Sequence, residues 1–241
     1  MALMCDPIGM KPTNKSRSRG RASKAFRRVS GDTQVLSDSI AAILASLFLQ
    51  ARAKQQPCLE RWKKVSYRLG PLLPQSLLIV SIQQQGELDS VLRCVEDEFS
   101  DASQRDKLDT ATQYFMMFTV DWIGGTYEIL RLLRERKLLD GSELQSLLRE
   151  FELLRMPLEK HEIAKDRNLR QPLELTRFPP TNAPSDFFTY DQTSPTKTHI
   201  MPSVLSPRGS ITWQAIDAAK NTSCWIERRS LSDKILELWG A

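Results

Sequence analysis

The sequence predicts an α+β protein, mainly α: a helical bundle built on a long antiparallel helical hairpin, then a small C-terminal antiparallel β element and a terminal helix. Three observations carry that prediction. Residues 35 to 170 repeat their apolar positions with a helical period. Five prolines, Pro172, Pro179, Pro180, Pro184 and Pro195, crowd the stretch that follows. Beyond them, short alternating runs flank a Ser-Pro-Arg-Gly turn at 206–209.

Taken in order, residues 1–33 read as a disordered basic arm. Residues 1–30 hold eight Lys and Arg (Lys11, Lys15, Arg17, Arg19, Arg21, Lys24, Arg27, Arg28) against Asp6 alone. So few apolar residues cannot offset the entropy of ordering them. The whole chain has a net charge of +5, so its basicity belongs to the arm. Lys15, Arg17, Arg19, Arg21, Lys24, Arg27 and Arg28 suit nucleic-acid phosphates. They equally suit an acidic protein, or a tail that only keeps the chain in solution.

Residues 34–170 form the expected helical domain. The run Ile40–Leu49, "IAAILASLFL", is about half the ~20 residues a membrane span needs. It reads as a buried helix, and no membrane association is expected. Leu77–Ile82 fits either a buried strand or a helix segment, and helix is favoured because its neighbours are helical. Leu88, Val91, Leu92, Val95 and Phe99 then make one apolar stripe, which leaves Glu87, Asp89, Glu96, Asp97 and Glu98 as a solvated face. The hairpin follows. Its first helix, "DTATQYFMMFTVDWIGGTYEILRLLRERKLL", is interrupted only by Gly124–Gly125, a pair that permits a kink or a close approach. "DGS" at 140–142 closes it. Ser142 with Gln145 has the spacing of a capping box for the second helix, "LLREFELL". So short a connection predicts antiparallel packing.

Residues 171–196 read as a Pro-rich linker. Residues 197–241 read as a small β-hairpin and helix element packed on the helical domain. There Ile211, Trp213 and Ala215 alternate as in a half-buried strand, "CWIERR" adds a third, and "SLSDKILELW" is the terminal helix. Trp213 and Trp225 are expected in the core, with Arg228 and Arg229 covering its edge. No internal repeat is visible.

Several chemistries are excluded by motif. The chain has neither the P-loop pattern nor G-x-G-x-x-G, and no G-x-S-x-G elbow. "HEIAKD" has Lys165 where a zincin needs its second histidine, and His161 and His199 are the only histidines, so no metal and no cofactor is expected. Cys5, Cys58, Cys94 and Cys224 are scattered without a C-x-x-C pair. That suits free thiols in a cytoplasmic protein, as does the lack of an apolar signal core in "MALMCDPIGMKPTNK".

One stretch remains, "ELLRMPLEKHEIAKDRN" at 152–168. Arg155 continues the apolar row Leu144, Leu147, Leu148, Phe151, Leu154, where a guanidinium needs a partner or water. Met156–Pro157 is expected to break or kink the helix, with Pro157 opening a new one. On one straight helix Arg155 and His161 would sit about 240° apart, so only such a break, or a dimer, joins them. Without it, Arg155 is a helix-end charge and His161 a surface residue.

R-x5-H from Arg155 to His161, after a hairpin of long helices that includes "YEILRLL", resembles the HEPN superfamily over residues 107–170. The resemblance implies a homodimer that binds RNA and cleaves it without a metal, both motifs facing a shared cleft. His161 would then move the proton of the ribose 2′-hydroxyl, Arg155 would hold the phosphate, and Glu159 and Glu162 would orient the imidazole. The alternative is a non-catalytic protein-interaction or regulatory module with a basic polyanion-binding arm.

Overall fold

The computed structural model describes residues 39–101, 109–176, 187–194, 201 and 203–241. The chain divides into two compact units, Met1–Ser46 and Leu47–Ala241. Of the first unit, residues 39–46 are described and are helical. They are not the buried helix expected there: Ile40, Ile43 and Leu44 are 60%, 67% and 48% exposed. The arm, residues 1–33, lies outside the described residues.

In the second unit, residues 47–54 are helical, and Arg52 pairs with Glu87 at 2.9 Å. Then come α1 (Gln56–Leu69), α2 (Leu78–Ser100), α3 (Asp109–Glu135) and α4 (Ser142–Lys160). After them lie β1 (Leu173–Thr176), β2 (Phe187–Tyr190), β3 (Ser203–Leu205), β4 (Ile211–Asp217), β5 (Thr222–Glu227) and α5 (Arg228–Trp239). The fold is α+β and mainly α.

The stripe Leu88, Val91, Leu92, Val95, Phe99 faces inward as its spacing requires. It meets Trp62 and Val65 of α1, Phe115 and Trp122 of α3, and Phe151 and Leu154 of α4 in one core. Phe99 and Phe115 pack with ring centroids 5.2 Å apart, Trp122 and Phe151 with theirs 5.7 Å apart. Helices α3 and α4 run antiparallel, since Gly124 faces Glu159 and Glu128 faces Arg155. The capping box is not formed. Ser142 already lies inside α4, and the Gly141 N–H donates to Asp140 Oδ1 instead, at 2.9 Å.

Strands β3, β4 and β5 form an antiparallel sheet in that order, with Ser203 opposite Trp213 and Trp213 opposite Ile226. Ile211, Trp213, Ala215 and Ile226 join the helical core, so the C-terminal element is built into the unit. Gly209, at φ +72°, turns the chain between β3 and β4, where a β-carbon would strike the backbone of Glu96 and Ser100. The tryptophans divide: Trp213 is buried, but Trp225 is 41% exposed.

Part of the stretch expected as linker is strand. β1 pairs antiparallel with β2, Leu173 opposite Tyr190. Leu173, Leu175 and Tyr190 bury a second, smaller core with Ile163, Leu169 and Ile216. Proline composition hides this pairing, because the ladder itself, Leu173–Thr176 with Phe187–Tyr190, contains no proline. Tyr190 donates to Asp166 Oδ2 at 3.3 Å, and burial beside that carboxylate pushes its hydroxyl up to about 12.

Candidate functional site

Helix α4 does not break at Met156–Pro157. It runs through Pro157 to Lys160 and ends at His161, which takes the left-handed conformation at φ 57°. Pro157 stands four positions from that end, and the His161 N–H donates to its carbonyl at 3.2 Å, so the last turn closes around it. With the helix continuous, the 100° step per residue leaves Arg155 and His161 on different faces. His161 and Glu162 are exposed.

Arg155 is satisfied by other groups. Its Nη2 lies 3.0 Å from Glu128 Oε1 on α3, and its Nε 2.9 Å from Glu159 Oε2 one turn on. Its guanidinium carbon stands 4.7 Å from the centroid of the Tyr127 ring. The Nε atom is buried, and no acceptor lies along its N–H direction. The contact with Glu159 is therefore one of charge and proximity, without hydrogen-bond geometry. Glu159 thus serves Arg155 and not the imidazole.

This cluster borders a shallow depression of about 470 Å³, lined by Met117, Val120, Asp121, Gly124, Glu128 and Arg155 among others. His161 is not in its wall. A second depression of about 440 Å³ adjoins it across Gly125 and Glu128 and is walled by Leu73, Leu77, Leu78, Ile129 and Leu132. The helix runs unbroken through the glycine pair, which lets side chains lie close against it. A β-carbon at Gly124 would meet the Glu159 carboxylate, and one at Gly125 the Gln85 amide. Tyr114, Met117 and Leu77 are exposed nearby.

A more elaborate cluster was expected to be solvated surface. Asp89 and Glu96 are fully buried, and so is Arg228, the first residue of α5. Arg228 donates Nη1 to Asp89 Oδ1, Nε to Glu96 Oε1 at 2.7 Å and Nη2 to Glu96 Oε2 at 2.6 Å. It also stands 5.1 Å from the Trp122 ring. Asp89 Oδ2 accepts from Trp62 Nε1 at 2.9 Å, Arg93 Nε at 2.8 Å and Ser232 Oγ at 2.8 Å. Arg93 goes on to Asp233 Oδ1 at 2.6 Å. Only Arg229, with Asp97 at 2.7 Å, covers the edge as expected.

Burial alone would raise the Asp89 carboxyl. Arg228 and Arg93 outweigh it and hold the group well below the usual carboxylate range. Asp89, Arg93 and Glu96 stand at i, i+4 and i+7 on the side of α2 that carries Leu92 and Phe99. That spacing was the available signal. Cys58 donates to Asp89 Oδ2 at 3.3 Å, and burial, then the charge of Asp89, pushes its thiol up to about 12, so it is no nucleophile.

Among the described residues no group of His, Cys, Asp and Glu could hold a metal ion. His199 and the arm residues Lys15, Arg17, Arg19, Arg21, Lys24, Arg27 and Arg28 lie outside the described residues. No protein-family model, curated protein or solved structure matches the chain.

Proposed function

We propose that this chain is a non-catalytic interaction module, HEPN-like in its helical hairpin, with an arm at residues 1–33 that contacts polyanions. The observation that supports it is the state of Arg155: its charge is balanced by Glu128 and Glu159, and the histidine that would share its chemistry lies beyond the helix end. General acid–base work needs its groups within hydrogen-bond reach of one reacting centre. The adjoining depressions offer instead a low floor at Gly124–Gly125 with apolar walls and the exposed carboxylate of Asp121 at the rim. Such a surface suits a protein segment that inserts an apolar side chain flanked by Lys or Arg.

A photo-crosslinking residue at Met117 tests the reading. A discrete product from Met117, absent from the same probe at Glu143 and lost on Asp121→Arg, is expected. Equal labelling at both positions removes the docking face.

A second reading, a metal-independent endoribonuclease shared across a homodimer, has one observation in its favour. The Arg155 guanidinium borders an open depression and has a buried donor with no acceptor in line, which a phosphate oxygen would supply. RNA cleavage in EDTA separates the two readings. Products ending in 2′,3′-cyclic phosphate, lost in both Arg155→Ala and His161→Ala, would replace the non-catalytic reading with this one.

A further inference from the structure

We infer that the seam where α1 meets the start of α2 is a second docking face, fitted to a protein segment whose apolar side chains are flanked by Asp or Glu. The inference rests on the interaction-module reading and adds to it a face of the opposite charge preference.

Both helices belong to the unit Leu47–Ala241. Helix α1 buries Trp62, Val65 and Leu69 in the core, and its outer side carries Lys63, Lys64, Tyr67 and Arg68. At 100° per residue these four cover an arc of about 140°, with Tyr67 inside it. Tyr67 is 64% exposed. Just past the end of α1, Gly70 has no side chain, and Ile79 of α2 lies against it, where a β-carbon would strike Ile79 Cγ1. Across the same seam Gln83 Nε2 donates to Ser66 Oγ at 3.1 Å. Ile79 and Val80, in the first turn of α2, stay 37% and 47% exposed. An apolar strip of Tyr67, Ile79 and Val80 thus lies open beside a row of cations.

Those cations differ in how they are used. Arg52 holds Glu87 at 2.9 Å, Lys54 holds Glu98 at 3.7 Å and Lys63 holds Glu60 at 2.7 Å, so the acids nearby are already matched. Among the described residues Lys64 and Arg68 pair with no carboxylate. Glu60 is the only acid in α1, against four Lys and Arg. Arg68 stands in the last turn, where a cation also complements the helix dipole. Lys64, a turn earlier, has no such role.

Candidate occupants differ in what they supply. A nucleic acid strand would neutralise the cations and stack on Tyr67, but it has no use for Ile79 and Val80. A bilayer takes up apolar side chains that protrude, and these two are half-buried in the seam. A second copy brought to the same face would set cation against cation. An acidic amphipathic segment supplies carboxylates for Lys64 and Arg68 and apolar side chains for the strip. An exposed tyrosine next to free charges is also the kind of residue that anchors such contacts.

The test is selection of random peptides displayed on phage against the full chain, followed by fluorescence polarisation with the enriched peptides. Three variants are compared: Lys64→Glu with Arg68→Glu, Tyr67→Ser with Val80→Ser, and Asp121→Arg at the other face. Poly(U), vesicles of phosphatidylcholine with phosphatidylserine, and light scattering of the protein alone are run beside them. All the altered side chains are exposed, and circular dichroism checks that each variant keeps its fold.

Peptides with apolar residues flanked by Asp or Glu should emerge. Reversing the two free charges should weaken them about tenfold or more, and so should removing the two apolar contacts. Asp121→Arg should leave them unchanged, and added salt should slow their association. Acidic peptides that bind every variant alike overturn the inference. So does enrichment of basic peptides alone, lost on Asp121→Arg, which leaves the first docking face standing. A selection in which no peptide depends on either face overturns both readings. Binding of poly(U) or vesicles, or self-association, that Lys64→Glu with Arg68→Glu abolishes in place of acidic-peptide binding gives the face to another occupant and also overturns it.

Discussion

Arg155 and Arg228 have nearly the same neighbours and opposite situations. Each lies between two carboxylates and over an aromatic ring, Tyr127 for one and Trp122 for the other. Arg228 is 0% exposed and donates along its N–H directions into both carboxylates. The Arg155 side chain is 21% exposed and makes close charge pairs without that alignment. Burial decides the difference. Removing a partner from a dry cluster strands the charges that remain, whereas water takes over for a pair at the surface. Arg228 therefore belongs to the stability of the fold, whereas Arg155 belongs to the binding face only in the reading proposed above.

The largest effect should come from Arg228→Met. It leaves Asp89 buried with Arg93, and Glu96 buried with Arg229 at 3.8 Å, as the remaining positive charges, and the expected loss is about 3–5 kcal/mol in urea unfolding. A loss under about 1 kcal/mol would erase the contrast between the two arginines.

Acid should sharpen the same contrast. The folded Asp89 carboxyl is held below its unfolded value, so it contributes stability that is complete above about pH 3.9 and disappears as pH falls toward the folded value. Asp233, pushed up by burial but lowered further by Arg93 and Arg208, follows the same sign. In Arg228→Met, burial acts on Asp89 against weaker opposition. Its melting temperature, followed from pH 7 downward, should begin to fall at higher pH than that of wild type. Coincident profiles would mean that Arg228 does not govern Asp89.

Smaller effects belong to the other end of the comparison. His161→Gly relieves a left-handed backbone at the end of α4 and should raise stability by about 1 kcal/mol, read as a higher urea midpoint. Arg155→Ala should cost no more than about 1 kcal/mol, because its two pairs and its ring contact reach solvent. A cost as large as that of Arg228→Met would make Arg155 structural and close the binding-face reading.

Much of this architecture was legible in the sequence. The stripe from Leu88 to Phe99, the hairpin α3–α4 and the turn at 206–209 follow from local rules of period and turn chemistry, and each is found. Long-range pairings were not legible. The partner of Asp89 and Glu96 lies more than 130 residues away in sequence, and a period-based reading places any carboxylate in water. The Arg155–His161 geometry turned on whether Pro157 breaks its helix. Local preference favours a break, but so close to the C-terminus only one last turn is at stake, and it forms. For the run Ile40–Leu44, periodicity gave the helix correctly. It could not say that Ile40, Ile43 and Leu44 are exposed where a buried helix was expected.

The closure of the buried cluster by Arg228 also sets an order in time. A ribosome adds roughly 5–20 residues per second, so the 139 residues between Asp89 and Arg228 take roughly 7–28 s to follow. Throughout that interval the acidic side of α2 has no Arg228, and α5, which would cover it, does not exist. The helices made first must then wait, hydrated on that side, for α5 to leave the ribosome. Stalling synthesis shortly before residue 228 should leave a nascent chain that proteases cut within α2, and synthesis past α5 should end that sensitivity.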